Sequence, residues 1–581
     1  MRRILDLGGT WRFMPDLRDA GVAAGWHRRD ARDADWLRVR VPGPWDTYGE
    51  AFRGYEGVGW FRRDFRFFGP SPVVALLRFA GAGHRAEVWV NGRLLGAHDG
   101  GYVPFELDAR KALRLGGNTI AIRIRHVFGD KTIPIRNTDW WKYGGITRPV
   151  TLLVNSGPVL ARATVTTQGN VSAPGVASTP GVASTPLIVV RGQVAPPLPG
   201  MTVVAEILGG GRAVRSAADP VPESGVFRIP MPGAGLPLWS PDRPRLVRLR
   251  LTLRDRRGRV ADAVTRRFGV RVLSWSGGEL RLNGRRLFLR GVNQVEEYPE
   301  WTCSPGRAGM RSRILDLKRD LRANFFRTAH YPHHPGFFDL CDELGLLTCG
   351  EIPLCYSREL PGTTETGKAM LDELFWRDGH HPSVIWWSAG NERPVEEDAV
   401  AAGVVRLVRH AQSLDSSRPA TCISNRGLGD RSLPAHDLLA LNVYQGVWGG
   451  TTPVTTRDLR KRTPHELARV LARVRRRFPD KPVVITEFGA PAFPVPGDVF
   501  GGERWQAEYF RMILEVFART RWLSGCVAWC YRDQRMGSYG HYPVGYLGST
   551  QLEVFGLKTI DGVPKPAWHV VARAYRRLAR R

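Results

Sequence analysis

After Trp275 the chain settles into one rhythm, in which short apolar runs of strand composition alternate with longer amphipathic segments of helical spacing. Eight such runs follow in order: RLFLRGVN (286–293), NFFRTAH (324–330), GLLTCGEIP (345–353), SVIWWSAGNE (383–392), PATCISN (419–425), LLALNVY (438–444), PVVITEFGA (482–490) and SGCVAWCYRD (524–533). Between most of them lie segments such as GMRSRILDLKRDLRA, VEEDAVAAGVVRLVRHAQSL and TPHELARVLARVRRRF. Runs this apolar are buried on both faces, the environment of parallel strands covered by crossover helices. Eight strand signals, mostly followed by helices, predict a C-terminal (β/α)8 TIM barrel over residues 273–581.

The chain has 581 residues, more than one core accommodates. Residues 1–155 carry short alternating runs (VVALLRFAG, RAEVWVNGRLLG, NTIAIRIRHV, RPVTLLVNS) separated by Gly, Pro and Asn-Gly turn signals, the pattern of a β-sandwich. Residues 156–272 repeat the pattern with ARATVTTQ, MTVVAEIL and RLVRLRLTLRD, which suits a second, immunoglobulin-like sandwich. Within it GVASTPGVASTP (175–186) is a six-residue tandem repeat too polar and small to build a core, and reads as an expanded surface loop.

No apolar run reaches membrane-spanning length, so no membrane partner is expected. The opening MRRILDLGGTWRF lacks the apolar stretch of a secretion signal and reads as the start of a folded domain, with the cytoplasm as the default location. All seven cysteines fall between Cys303 and Cys530 without a C-x-x-C pair, the usage of small core residues rather than disulfides or structural zinc. The net charge of +29 raises nucleic acid as a partner. Arginine is spread along the whole chain, however, and the densest clusters, RVLARVRRRF and RAYRRLARR, have the spacing of solvated faces on amphipathic helices. Compositional bias is the preferred reading and no nucleic-acid partner is expected, with nucleic-acid binding kept as the weaker alternative.

A TIM barrel places its chemistry where the strands end. Here those ends carry Asn293, Arg327 and His330, Glu351, Asn391 and Glu392, Asn425, Asn442 and Tyr444, Glu487, and Trp529 with Asp533. Any one of them is explained by a strand meeting solvent. Amides, carboxylates and aromatics at nearly every strand end describe a site for a polyhydroxylated ligand. Glu392 and Glu487 both follow apolar runs that fix them in place. Glycoside hydrolysis needs such a pair, one carboxyl to protonate the leaving oxygen and another to attack or to activate water.

Trp-Ser-x-Gly-Asn-Glu, here Trp387-Ser388-Ala389-Gly390-Asn391-Glu392, resembles the acid/base signature of glycoside hydrolase family 2, the β-galactosidase and β-glucuronidase family. ITEFGA (485–490) is similar to its nucleophile segment. The likeness runs along the chain. LGGTWRF (7–13), VNGRLLGAHDGGYVPFELD (90–108) and DWWKYGGITRPV (139–150) resemble the family's N-terminal jelly-roll, sugar-binding-like domain. LWSPDRPRLVRLRL (238–251) resembles the end of its immunoglobulin-like domain. NFFRTAHYPHHPGFFDLCDELG (324–345) resembles barrel strand two with its helix, and GLKTIDGVPKPAW (556–568) the closing segment.

The resemblance implies roles. Glu392 would be general acid and then general base, and Glu487 the nucleophile of a covalent glycosyl-enzyme. Asn391 would bond the sugar 2-hydroxyl. Tyr444 and Arg327 would hold Glu487 ionised. His330, Trp529 and Asp533 would line the sugar subsite, Trp529 by stacking on the ring, and Asp139 would reach in from the jelly roll. His330 in His-Tyr-Pro also reads as packing at a loop start, and Asp139 as a turn-former before an aromatic pair.

Three departures bear on specificity. The family's glucuronidases carry Asn-x-Lys before the closing Gly to grip the substrate carboxylate, where this chain has Glu553-Val554-Phe555. The magnesium-binding Glu-x-His of large β-galactosidases corresponds to Cys355-Tyr356-Ser357. The histidine common near strand one is replaced around Val295, followed by Glu296 and Glu297. The sequence therefore predicts a retaining exo-β-glycosidase with no metal and no cofactor. It would act on a small carbohydrate or glycoconjugate carrying a terminal neutral sugar, galactoside first, with glucuronide as the alternative. A homo-oligomer is compatible with this reading. A non-catalytic carbohydrate-binding relative is disfavoured, because both glutamates stand at their motif positions.

Overall fold

The computed structural model describes residues 2–169, 185–447, 455–495, 498–537 and 552–580. All of the tandem repeat but Thr185 and Pro186 lies outside the described residues.

The eight apolar runs form eight parallel strands: β1 (Leu289–Gln294), β2 (Phe325–Thr328), β3 (Leu347–Glu351), β4 (Val384–Asn391), β5 (Ala420–Ile423), β6 (Leu439–Asn442), β7 (Val483–Glu487) and β8 (Gly525–Ala528). They hydrogen-bond in the order β5-β4-β3-β2-β1-β8-β7-β6, and a parallel bridge from Ser424 to Leu441 joins the two ends into a barrel. Outside lie α1 (Arg307–Arg319), α2 (Pro335–Leu344), α3 (Thr363–Asp378), α4 (Asp398–Leu414), α5 (Thr456–Arg477), α6 (Glu503–Arg519) and α7 (Pro566–Leu578). Helix α5 begins upstream of the Thr-Pro expected to open it, because the Thr455 hydroxyl caps the Asp458 N–H and Pro464 is absorbed inside the helix.

The barrel is a packed core. Leu289, Phe325, Leu347, Ile385, Trp386, Val484 and Val527 from the strands cluster with Trp239, Leu273, Leu280 and Leu282 from the segment that leads in from the preceding domain. That segment plugs the mouth at the strands' N-terminal ends, each buried large side chain contributing about 1.5–3 kcal/mol. The polar strand termini are left at the opposite mouth.

The first domain is a jelly-roll sandwich of a four-stranded and a six-stranded antiparallel sheet, closed on a core that includes Trp11, Phe13, Trp45 and Phe61. The second packs a three-stranded sheet (Val159–Gln168, Leu187–Ala195, Val226–Pro232) against a four-stranded one (Thr202–Gly209, Arg212–Pro220, Val247–Arg254, Val260–Phe268). In Val247–Arg254 the residues Val247, Leu249, Leu251 and Leu253 face inward, while Arg248, Arg250 and Arg254 are exposed. On α5, Leu467, Leu471 and Val474 are buried and Arg469, Arg473, Arg476 and Arg477 are exposed. These arginines form solvated faces, as their spacing predicts. All seven cysteines are buried free thiols, and no described helix is long and apolar enough to cross a membrane.

Buried arginines dock the domains. Arg148 of the jelly roll pairs with Glu296 in the loop after β1. Arg271, at the end of the second sandwich, donates to the carbonyls of Pro382 and Val384 at 2.7 Å each and so fixes where β4 starts.

Candidate active site

Every residue of β4 is buried, and its sequence explains how a charge can follow it. Ile385 and Trp386 fill the barrel interior, while Trp387 turns outward and donates from its indole N–H to Asp415 at 3.0 Å. Pairing with β5 then shifts register between Ser388 and Asn391, an irregularity that re-aims the strand end. Gly390 has φ +136, and a Cβ there would fall 2.4 Å from the Leu354 carbonyl, so glycine is required. Glu392 follows with φ +46, in the left-handed region that costs a non-glycine residue about 1–3 kcal/mol. The motif's glycine and the strained glutamate together bring the carboxyl off the strand and over the mouth.

There Glu392 accepts from Asn442 Nδ2 at 2.6 Å and from Asn425 Nδ2 at 2.7 Å. Burial raises its carboxyl to about 8, the negative charge of Glu487 adds to the rise, Asn442 opposes it, and Asp139 adds further. Glu487, at the end of β7, is arranged in the opposite sense. One oxygen accepts from Arg327 Nη1 at 2.6 Å and the other from the Tyr444 hydroxyl at 2.7 Å, the bonding of an ionised carboxylate.

Arg327 organises this mouth. It grips Glu351 in two parallel bonds of 2.9 and 2.7 Å, and donates to Asn391 Oδ1 at 2.9 Å, Asn293 Oδ1 at 3.1 Å and His330 Nδ1 at 3.1 Å. Burial alone would lower its pKa; the charges of Glu351 and Glu487 outweigh that and raise it. Asn442 also donates to Asn391 Oδ1, at 3.2 Å, while accepting from the Thr486 hydroxyl at 2.9 Å. One network thus runs Glu487–Arg327–Asn391–Asn442–Glu392. Asn391 Oδ1 is fully used within it, and among the described residues Asn391 Nδ2 meets only the weak acceptor Cys355 Sγ, at 3.4 Å.

Residues 274–519 match the TIM barrel domain of glycosyl hydrolases family 2, and residues 4–156 match that family's sugar binding domain. The chain belongs to glycosyl hydrolases family 2. It is a glycoside hydrolase of β-glycosidase type. Relatives include a beta-glucuronidase of Paenibacillus borealis, 26% identical over 92% of this chain and 91% of that one. A beta-glucuronidase of Canis lupus familiaris is 26% identical over 99% of this chain and 91% of its own length. A solved β-glucuronidase from Ruminococcus gnavus, in complex with D-glucuronic acid, superposes with a TM-score of 0.85 at 22% identity, covering 99% of this chain and 98% of that chain, which shows a shared fold.

Within this family 2 barrel the remaining predicted residues fall in different places. Asp139 reaches across from the jelly roll and accepts from the Tyr356 hydroxyl, an inter-domain bond, and its Oδ1 is buried without a partner among the described residues. His330 is packed between Trp140 and Trp529, with ring centroids 5.4 and 5.2 Å away. Trp529 is only 3% exposed, and His330 stacks on one face of its ring. The ring expected to stack on a sugar is therefore covered on that face by the neighbouring histidine. Asp533 Oδ1 is taken by Lys565 Nζ at 2.7 Å and the Gly556 N–H at 2.9 Å; burial raises its carboxyl to about 6 against the opposing charge of Lys565.

The departures from the family pattern are built into the fold. Glu553 is fully buried and accepts from the Trp529 indole N–H at 2.7 Å and from Gln534 Nε2 at 2.6 Å. Glu296 is spent on Arg148, and Glu297 on Arg535 at 2.6 Å. Tyr356, read from the sequence only as part of a lost metal position, is the partner of Asp139. Asn425 and Asn442 stood among the polar strand ends without a role, and they are the two donors to Glu392. Their signal was present, an amide ending β6 and another just past β5, but only the closed barrel shows which carboxyl they reach.

Proposed function

We propose that the protein is a retaining exo-β-glycosidase that removes terminal β-D-glucuronate from its conjugates. The mechanism is supported chiefly by the opposed states of two carboxyls at one mouth. Glu392 is pushed up to about 8 and so holds a proton at neutral pH, while Glu487 is bonded as a carboxylate. A raised carboxyl beside one that accepts from a guanidinium and a phenol fits an acid beside a nucleophile.

Glu487 attacks the anomeric carbon as Glu392 gives its proton to the departing glycosidic oxygen. Glu392, now ionised, takes a proton from the water that attacks the glycosyl-enzyme, and Glu487 leaves. Retention needs the carboxyls about 5–5.5 Å apart. Asn391 Nδ2, left with only a thiol, is the donor for the sugar 2-hydroxyl. Asp139 and His330 complete the wall of the subsite, and Trp529, covered by His330, and Asp533, held by Lys565, support it.

The choice of sugar rests on the relatives named beta-glucuronidase that align along nearly the whole chain, and these favour glucuronide over the galactoside preference expected from the sequence. One observation supports a neutral sugar as second reading: Glu553 and Phe555 occupy the place of the Asn-x-Lys grip, and Glu553 is buried against Trp529. A panel of nitrophenyl β-glycosides decides. The glucuronide is expected to show the highest kcat/KM; a galactoside or glucoside turned over at least tenfold faster would overturn glucuronide in favour of the neutral sugar.

Tyr444→Phe tests the support of the nucleophile. Losing a hydrogen bond to a charged acceptor is worth about 1.5–3 kcal/mol, so kcat is expected to fall roughly ten- to a hundredfold. A fall of less than about threefold would remove Tyr444 from the reaction.

A further inference from the structure

A cavity of about 310 Å³ lies where all three domains meet, bounded by jelly-roll residues around Phe105, by Ala161–Ala163 of the second sandwich and by the end of α3. Four arginines line it, Arg78, Arg162, Arg266 and Arg377, against two glutamates, Glu106 and Glu373.

Both acids are already engaged. Glu106 pairs with Arg78 at 2.7 Å, and Glu373 with His98 at 3.1 Å. Arg377 is held by Asp378 and lies over the Phe338 ring, so it contributes charge to the wall rather than a free donor. Arg162 and Arg266 have no ion pair or side-chain hydrogen bond among the described residues. Asp339, whose charge Arg266 feels, lies 3.5 Å from Arg267. Burial lowers the pKa of Arg266, and the charges of Arg2 and Arg78 lower it further; Arg78 likewise feels Arg2 and Arg162. Guanidiniums gathered around a hollow with too few carboxylates make a field that an anion relieves. Trp376, partly exposed on the same wall, adds an aromatic surface. The volume is at the small end of the ~300–1,000 Å³ typical of ligand sites.

We propose that this junction is a second binding site, separate from the catalytic mouth, for a small oxyanion. Its phosphate or carboxylate group is held by Arg162 and Arg266, and the rest of a monosaccharide-sized body rests on Trp376. Because residues from three domains converge there, the ligand binds the docked arrangement and stabilises it.

Titration calorimetry and thermal melting of the full chain, at matched ionic strength, test this with inorganic phosphate, glucose 6-phosphate, glucuronate and glucose. At least one oxyanion is expected to bind and raise the melting temperature, and glucose is expected to do neither at this site. Arg162→Ala/Arg266→Ala should weaken that binding at least tenfold and leave kcat unchanged. Arg469→Ala/Arg473→Ala, on the exposed face of α5, should bind as the parent does. Loss of the phosphate responses marks a phosphate site, and loss of the glucuronate response alone a carboxylate site. Arg162→Ala, at an exposed position, keeps the test open if the double variant fails to fold, with a weakening of at least threefold expected. Absence of oxyanion binding, or equal binding by the junction variants and the parent, would overturn the proposal.

Discussion

Glu487→Ala is expected to lower kcat on aryl β-glycosides by more than about a hundredfold, and azide is expected to restore turnover with an inverted glycosyl azide as product. A hundredfold is about 3 kcal/mol of barrier, the least that loss of a covalent route should cost. Azide fits the space vacated by the carboxylate and attacks from the same face, but water cannot displace it in the second step. The variant should fold, because Arg327 keeps its two bonds to Glu351 when Glu487 is removed. Melting temperature and kcat therefore separate a folding defect from a chemical one. A folded variant retaining more than about a hundredth of parental kcat would remove Glu487 from the nucleophile's role.

Glu392→Ala is expected to act selectively. Substrates with poor leaving groups need the proton and should lose several orders of magnitude, whereas a nitrophenolate leaves without one and should lose far less in the first step. Equal losses across leaving groups would end its assignment as the acid. The same carboxyl sets the alkaline limb of the pH profile. With Glu392 pushed up to about 8, the protonated form needed for the first step is lost as pH rises through that value, so kcat/KM should fall above it. Stability carries the same sign. Between the ordinary 4.5 and about 8 the folded protein holds a proton that the unfolded chain has released, so this group's contribution declines as pH rises across that window. Glu392→Gln should flatten both slopes. An unchanged alkaline limb in that variant would assign it to another group.

Much of this was legible along the chain because the signals are local. Strand composition and helical spacing mark all eight barrel strands, since burial on both faces demands apolar runs whatever the strands pair with. The glycine of Trp-Ser-x-Gly-Asn-Glu answers a backbone requirement at one position, where φ is positive and Leu354 leaves no room for a Cβ. Polar strand ends also show as a class. What they bond to does not, because each partner comes from a strand tens to hundreds of residues away. Trp529 illustrates the difference. Its position on the rim follows from the sequence, but its burial beneath His330 depends on a packing contact between β2 and β8.

By itself, then, the sequence determined the three-domain order, the barrel and the two glutamates that end β4 and β7, because those depend on spacing and hydrophobicity read over a few residues. Only the tertiary structure decided how the two glutamates differ. Each follows an apolar strand, and composition and spacing alone do not separate acid from nucleophile; the motifs assign the roles only by resemblance, and give no physical reason for them. Arg327 and Tyr444 meet Glu487, while Asn425, Asn442 and the nearby charges of Glu487 and Asp139 surround Glu392. Charge interactions and desolvation are summed over every group within a few ångströms, and only a closed barrel brings those groups together.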